Sequence, residues 1–230
     1  MKSKENDRRE KDKTPGTFDA HGVKDYEQKR YRGLDQRMVN SRENRIIRRI
    51  LKSIMMKDTE GLQFLDVPCG YGRFTPLLLT GSSGLINSDL SFFMVKRAVE
   101  QGQAVQKDIS GAVADTKRGL PFKAESFDLL FSMRFFHHVH ERSKRNAILK
   151  EFNRVTKKWV ILSYYKSNLL HQLQRKMRRK VKRRQTSISI ISSQRFRKEV
   201  IDAGFEIIKV YPLIRGIHSQ WIAFLRKVRT

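Results

Sequence analysis

The chain has 230 residues, of which 39% are hydrophobic and 13 are glycine, enough for one large domain with appendages and too apolar for a wholly disordered chain. Its formal net charge is +26; it contains no run near the roughly 20 apolar residues of a spanning helix, and its first residues alternate in charge where a signal peptide would be apolar, so a cytoplasmic protein is expected. The single Cys69 cannot form an internal disulfide, and six scattered His without a Cys pair give no zinc-site spacing, so no metal is expected.

In chain order, residues 1–17 lack apolar periodicity, and we draw a disordered charged tail over 1–25. Residues 26–61 form an N-terminal helical segment, in which Ile46, Ile47, Ile50, Leu51 and Ile54 recur at spacings of three and four, with Arg45, Arg48, Arg49 and Lys52 between them. The domain proper is expected at 62–230, with strands at 62–67, 85–90, 104–109, 127–133, 159–164, 205–213 and 220–225. Helical patterns fall at 74–79, 92–101, 142–155 and 193–203, the last followed by Gly204, a natural residue for the left-handed position after a helix. Strands alternating with helices predict an α/β fold: a seven-stranded, mostly parallel sheet with helices on both faces. The last two strands, joined through Arg215 and Gly216 without a helix, predict an antiparallel terminal pair.

The most informative stretch is Phe64-Leu65-Asp66-Val67-Pro68-Cys69-Gly70-Tyr71-Gly72-Arg73-Phe74, a buried strand running into a glycine turn and a helix. Gly70 and Gly72 let the backbone approach a ligand, and free amides at the next helix start favour a carboxylate or phosphate. A dinucleotide fold wants a third glycine where this chain has Thr75, which disfavours NAD. Asp89, at the end of the second strand, is placed to accept both hydroxyls of a ribose.

Four blocks in order resemble the class I S-adenosylmethionine-dependent methyltransferases, particularly the small-molecule type-11-like domain: the Asp66 to Phe74 loop; Asp89-Leu90-Ser91 with Met94; Asp108-Ile109 followed by Leu120-Pro121-Phe122; and Ser126-Phe127-Asp128 through Phe136-His137-His138. The resemblance spans most of 63–225 and implies a Rossmann-like fold with S-adenosyl-L-methionine as cofactor. It implies cofactor contacts at Asp66, Cys69, Gly70, Gly72, Arg73, Asp89, Leu90, Met94, Asp108, Ile109 and Met133, with Asp89 on the ribose and Asp108 on the adenine amine. Pro68 departs from the family's more common glycine, removing an amide donor and fixing φ. The Pro68-Cys69 pair sits in the cofactor turn, the wrong place for the nucleophile of cytosine-C5 methyltransferases, so a small buried thiol is expected. The segment after the fourth strand is not the Asn/Asp-Pro-Pro-Tyr run of base-amine methyltransferases. There His138 and His137 are placed to orient or deprotonate an acceptor, or else to cap packing between sheet and helix. Arg134 either binds an acidic group of the substrate or points to solvent.

More than half of the excess charge lies in 165–230, with 17 Lys/Arg against 3 Asp/Glu. Between the fifth strand and the helix at 193–203, a helical lid insert is expected at 166–192. Leu170, Leu173, Met177 and Val181 make a narrow apolar stripe there, flanked by Arg175, Lys176, Arg178, Arg179, Lys180, Lys182, Arg183 and Arg184. Such a helix suits an anionic membrane surface, at about 1 kcal/mol per cation near the headgroups. It equally neutralises RNA phosphates, or docks its stripe on the domain. The leading expectation is methylation of a small, anionic or membrane-associated acceptor of lipid or quinone-precursor type, with the protein peripheral at the inner membrane face. RNA methylation and a non-catalytic cofactor-binding partner subunit are the alternatives.

Overall fold

A computed structural model of the protein describes residues 23, 34–57, 61–103, 108–166, 189–214 and 219–228. The expected tail, except for Val23, and nearly all of the lid insert, including its cations at 175–184, lie outside the described residues.

Helix α1 (Leu34–Met55) precedes β1 (Gln63–Asp66), a single turn α2 (Thr75–Leu78), β2 (Gly84–Asp89), α3 (Phe92–Gln103) and β3 (Asp108–Val113). Then come β4 (Phe127–Ser132), a 3-10 turn (Phe136–His138), α4 (Arg142–Val155), β5 (Thr156–Tyr165), α5 (Ser193–Asp202), β6 (Phe205–Pro212) and β7 (Gln220–Lys227). The sheet order is β3-β2-β1-β4-β5-β7-β6. Pairs among β1 to β5 are parallel, while β7 runs antiparallel to both β5 and β6. From β1 the chain winds outward to β2 and β3, and from β4 it winds the other way to β5. The reversal therefore falls between β1 and β4, where parallel sheets open a ligand crevice at the carboxyl ends of their strands.

Period-two alternation divides each central strand between two cores. Leu65, Leu130, Val160 and Leu162 face one layer with Phe152, Phe196 and Val200 of α4 and α5. Phe64, Leu129, Phe131 and Ile161 face the other, with Ile47, Ile50, Leu51 and Ile54 of α1 and Leu78 of α2. The helix read as leading into the domain thus supplies part of its core. On the first layer, Arg145 of α4 and Glu199 of α5 form a buried bidentate pair at 2.9 and 2.7 Å, locking the two helices in register.

One expected strand is misplaced. β3 runs Asp108–Val113, four residues later than expected, because it is the sheet's edge and mostly exposed, without the continuous apolar run that marks β4.

Candidate active site

At the crevice, Asp66, Pro68, Cys69, Gly70, Tyr71, Arg73, Phe74, Asp89, Met133, Arg134 and His138 line one pocket. β1 delivers Asp66, β2 delivers Asp89, and the segment after β4 delivers Met133, Arg134 and His138. The turn after β1 is pinned from both sides: Val67 N donates to Phe131 O at 2.8 Å and Cys69 N to Ser88 O at 2.8 Å. Asp89 completes the clasp, its Oδ2 accepting from Gly70 N and its Oδ1 from Ser91 N, both at 3.0 Å.

The two acids are electrostatically coupled. Burial, and then the neighbouring Asp89 charge, push the Asp66 carboxyl well above the usual carboxylate range, with Arg73 opposing. Burial also raises Asp89, against the backbone hydrogen bonds from Ser91, Gly70 and Leu90. Among the described residues, Oδ2 of Asp66 is buried with no hydrogen-bond partner. A buried acceptor left in that state costs about 1 to 3 kcal/mol until a donor reaches it. Cys69 is the expected inert thiol: it is buried, its Sγ lies 3.3 Å from Gly70 O, and burial raises its pKa well above the ordinary value.

The two loop glycines divide their tasks. Gly70, at φ +54°, has open space where a Cβ would stand and so presents bare backbone to the pocket. Gly72, at φ +79°, does not line the pocket; a Cβ there would lie 2.4 Å from Ala98 Cα, so its role is close packing of the turn against α3. A Gly72→Ala variant combines left-handed strain with a backbone clash, expected to cost roughly 2 to 4 kcal/mol and to lower the melting temperature by about 5 °C or more. An unchanged melting curve would mean that α3 does not hold the turn.

The helix start departs from expectation. α2 is one turn with Pro76 in its first positions, so that residue offers no amide. The amide of Gly72 is spent on Cys69 O at 3.2 Å and that of Thr75 on Gly72 O at 2.9 Å. The amides of Gly72 and Thr75 are therefore not available to an anion at the α2 start.

Asp108 is corrected by the sheet register. It pairs with Gly84 at the start of β2, whereas Asp89 pairs with Val113. Asp108 and Ile109 therefore stand at the amino end of β3, with Asp108 about 16 Å along the strand from the level of the site. The acid that follows β3 at the correct edge is Asp115, in the turn where Ala114 N donates to Asp89 O at 3.0 Å. The signal was present in the sequence as an acid just ahead of Leu120-Pro121-Phe122; the misplaced strand hid it.

The remaining expected residues scatter. Leu90 is 43% exposed beside Asp89, and Met94 is buried against Val23 and Tyr71, both off the pocket lining. His138 is exposed on the pocket, whereas His137 is buried beneath it, its ring 4.0 Å from that of His138 and 4.6 Å from that of Tyr165. The structure thus separates the pair: His138 faces the pocket and His137 supports it.

Arg134 lines the pocket, but its guanidinium is engaged by Glu43 of α1. Nε donates to Oε1 at 3.0 Å and Nη2 to Oε2 at 2.8 Å. Arg73 Nη2 donates to the same Oε2 at 2.8 Å, and Gln220 Nε2 to Oε1 at 2.7 Å. One fully buried carboxylate thereby fixes two pocket arginines, and Arg134 as a substrate clamp is corrected to a member of this cluster. Arg134 also sits at φ +58°, held by its amide on Ser163 Oγ at 2.7 Å. Glu43 was missed from the sequence, although its spacing from Ile46, Ile47 and Ile50 places it on the apolar face of α1, where an acid needs a buried partner.

Residues 65–163 match the family model described as "Methyltransferase domain". A tRNA (carboxymethyluridine(34)-5-O)-methyltransferase from Arabidopsis thaliana is 32% identical over 97 residues, which is 42% of this chain and 22% of that protein. The chain therefore spans about a fifth of that relative's length. Magnesium protoporphyrin IX methyltransferase from Synechocystis PCC 6803, crystallised with bound SAH, superposes with a TM-score of 0.73 at 18% identity, covering 91% of this chain and 100% of that one. A SAM-dependent methyltransferase from Methanosarcina mazei superposes at 0.61, also at 18% identity, covering 74% and 94%. The cofactor of such domains is S-adenosyl-L-methionine, and the residues present fit it: an orphaned buried carboxylate oxygen on Asp66 suits an ammonium donor, bare backbone at Gly70 leaves room, and Asp89 closes the turn. Sheet order, pocket and matched segment agree: residues 65–163 match a methyltransferase domain, and the fold, with its crevice between β1 and β4, is consistent with a class I S-adenosylmethionine-dependent methyltransferase.

Proposed function

We propose that the protein transfers a methyl group from S-adenosylmethionine to an anionic acceptor. The observation that carries this reading is the Asp66–Asp89 pair at the crevice, one acid with an unpartnered buried oxygen and the other clasping the glycine turn. The cofactor supplies an electrophilic methyl on a sulfonium; everything else falls to the chain. Asp66 would take the ammonium, Gly70 and Asp89 would seat the ribose side, and Asp115 stands at the edge suited to the adenine amine. His138, exposed on the same pocket, would orient or deprotonate an acceptor group. Alignment supplies much of the remaining acceleration.

For the acceptor, a small molecule of lipid or quinone-precursor type, with the protein cytoplasmic and peripheral at a membrane face, is supported by the basic segment at 175–184. No helix among the described residues is long and apolar enough to cross a membrane. An RNA acceptor is supported by the partial likeness to the Arabidopsis enzyme and by exposed arginines along α1. The test is incubation with radiolabelled S-adenosylmethionine and whole-cell extract, followed by separation into lipid, RNA, protein and soluble fractions. Label in one fraction, lost in an Asp89→Ala variant that also fails to bind cofactor in equilibrium dialysis, is the expected result. Cofactor binding without S-adenosylhomocysteine production in any extract would favour a non-catalytic partner subunit, and an Asp89→Ala variant that binds as well as wild type would refute the site.

A further inference from the structure

A second cleft, of about 260 Å³, opens between α1 and the end of β6, lined by Arg42, Arg45, Ile46, Arg49, Tyr211, Pro212 and Leu213. Arg42, Arg45 and Arg49 are exposed, and none forms an ion pair with a carboxylate among the described residues. Their spacing of three and four puts them in one row, spanning about 10 Å along the helix axis. Lys209 adds a fourth cation, its Nζ 5.4 Å from the centroid of the Tyr211 ring. Arg49 and Tyr211 line the same cleft; burial raises the Tyr211 hydroxyl above its usual pKa, and the charge of Arg49 works against the rise. Unlike Arg73 and Arg134, whose charge Glu43 answers, these arginines converge on a concavity with no protein counter-charge among the described residues.

Its position relates the cleft to the crevice. Tyr211 pairs with Ile222, which pairs with Ser163, whose Oγ holds the amide of Arg134. The cleft is therefore level with the methyl-transfer pocket on the same edge of the sheet. It lies three strands across from β4, about 14 Å away at the usual strand spacing.

We propose that this arginine-lined cleft is a binding groove for the phosphodiester backbone of a single-stranded RNA segment, holding the acceptor strand beside the methyl-transfer pocket. Arginine forks match phosphate oxygens two at a time, and a row of three suits successive phosphates better than a single anion. A planar bilayer meets projecting apolar residues, whereas here the cations line a recess with Ile46 and Leu213 at its wall. The inference deepens the RNA reading of the acceptor, yet RNA binding is measurable without cofactor or turnover, so it fails or stands separately from catalysis.

The test compares two variants of the full chain that remove equal charge from neighbouring rows of α1, one row lining this cleft and the other lining a separate groove. Arg45→Gln/Arg49→Gln alters the cleft. Arg48→Gln/Lys52→Gln alters the separate groove, which includes Leu51, Met55 and Thr80. Fluorescence anisotropy with a labelled, unstructured RNA 12-mer is read across a salt series. The cleft variant is expected to bind about tenfold or more weakly, with the slope of log K against log salt reduced by about 1.4, near 0.7 for each phosphate that is no longer neutralised. The control variant is expected to stay within about twofold of wild type, and both are expected to bind S-adenosylmethionine in equilibrium dialysis as wild type does, showing that they fold. Equal loss in both variants, no loss in either, or no RNA binding by wild type would overturn the proposal. So would loss confined to phosphatidylglycerol vesicles, which would assign the arginines to lipid.

Discussion

An Asp66→Asn variant is expected to be more stable than wild type in the absence of cofactor and to bind S-adenosylmethionine about 100-fold more weakly. Both effects come from the same carboxylate. In the folded chain, burial and the adjacent Asp89 charge raise the Asp66 pKa, while in the unfolded chain the group titrates at its ordinary value. As pH rises above the unfolded value, the unfolded state has released a proton that the folded state still holds. Stability therefore falls with pH until the folded group also ionises, and the full penalty persists above that point. The neutral amide removes the penalty, so the stability gain of the variant should grow with pH across this window and then level off, as read from urea midpoints. Binding moves the other way: an ammonium donor is stabilised by the ionised acid, so wild-type affinity should rise with pH as Asp66 ionises. An amide loses the charge-assisted bond, worth roughly 1.5 to 3 kcal/mol, along with the pH dependence. A variant that bound the cofactor normally, or whose unliganded stability tracked wild type at every pH, would show that Asp66 is a structural acid unrelated to the ligand.

What could be read from the sequence follows burial. β1, β4 and β5 lie inside the sheet, and their near-continuous apolar runs located them within three residues. The glycine turn was legible because Asp66, Gly70 and Asp89 hold their places relative to two such strands. β3 has a neighbour on one side only and a mostly exposed surface, so the apolar pattern there carried little information. The four-residue slip then carried Asp108 into the site and left Asp115 out. Arg134 failed for another reason. Its residue type suggested an anion, and it does bind one, but the anion is Glu43, 91 positions away in sequence. Local pattern identifies a charged residue near a strand end; only the packing of α1 against the sheet decides whether substrate or protein answers the charge.

That dependence makes Glu43 the position of largest expected effect on stability. The Glu43 side chain is fully buried, and its two oxygens receive Arg134 twice, Arg73 once and Gln220 once. Burial tends to raise its pKa, but the charges of Arg73 and Arg134 and the hydrogen bonds from them outweigh burial and hold it below the ordinary value. Asn40 extends the network by accepting from Arg73 Nη1 at 2.9 Å, so consecutive turns of α1 grip the same guanidinium. Glu43→Gln keeps the shape and removes the buried negative charge that Arg73 and Arg134 share. Breaking a buried pair in this way costs about 3 to 5 kcal/mol. A group with a depressed pKa contributes stability that is present above its unfolded value and lost as pH falls through its folded value. The gap between wild type and variant should therefore be full at neutral pH and close on acidification, in urea titrations followed by circular dichroism. The cycle with Arg134→Met separates network from packing: once Glu43 is neutral, the ion pair between the two is already gone, so removing Arg134 should cost much less than in the wild-type background. Additive losses, or a Glu43→Gln variant within about 0.5 kcal/mol of wild type at pH 7, would mean that the crevice is held by its apolar layers alone and that α1 only covers them.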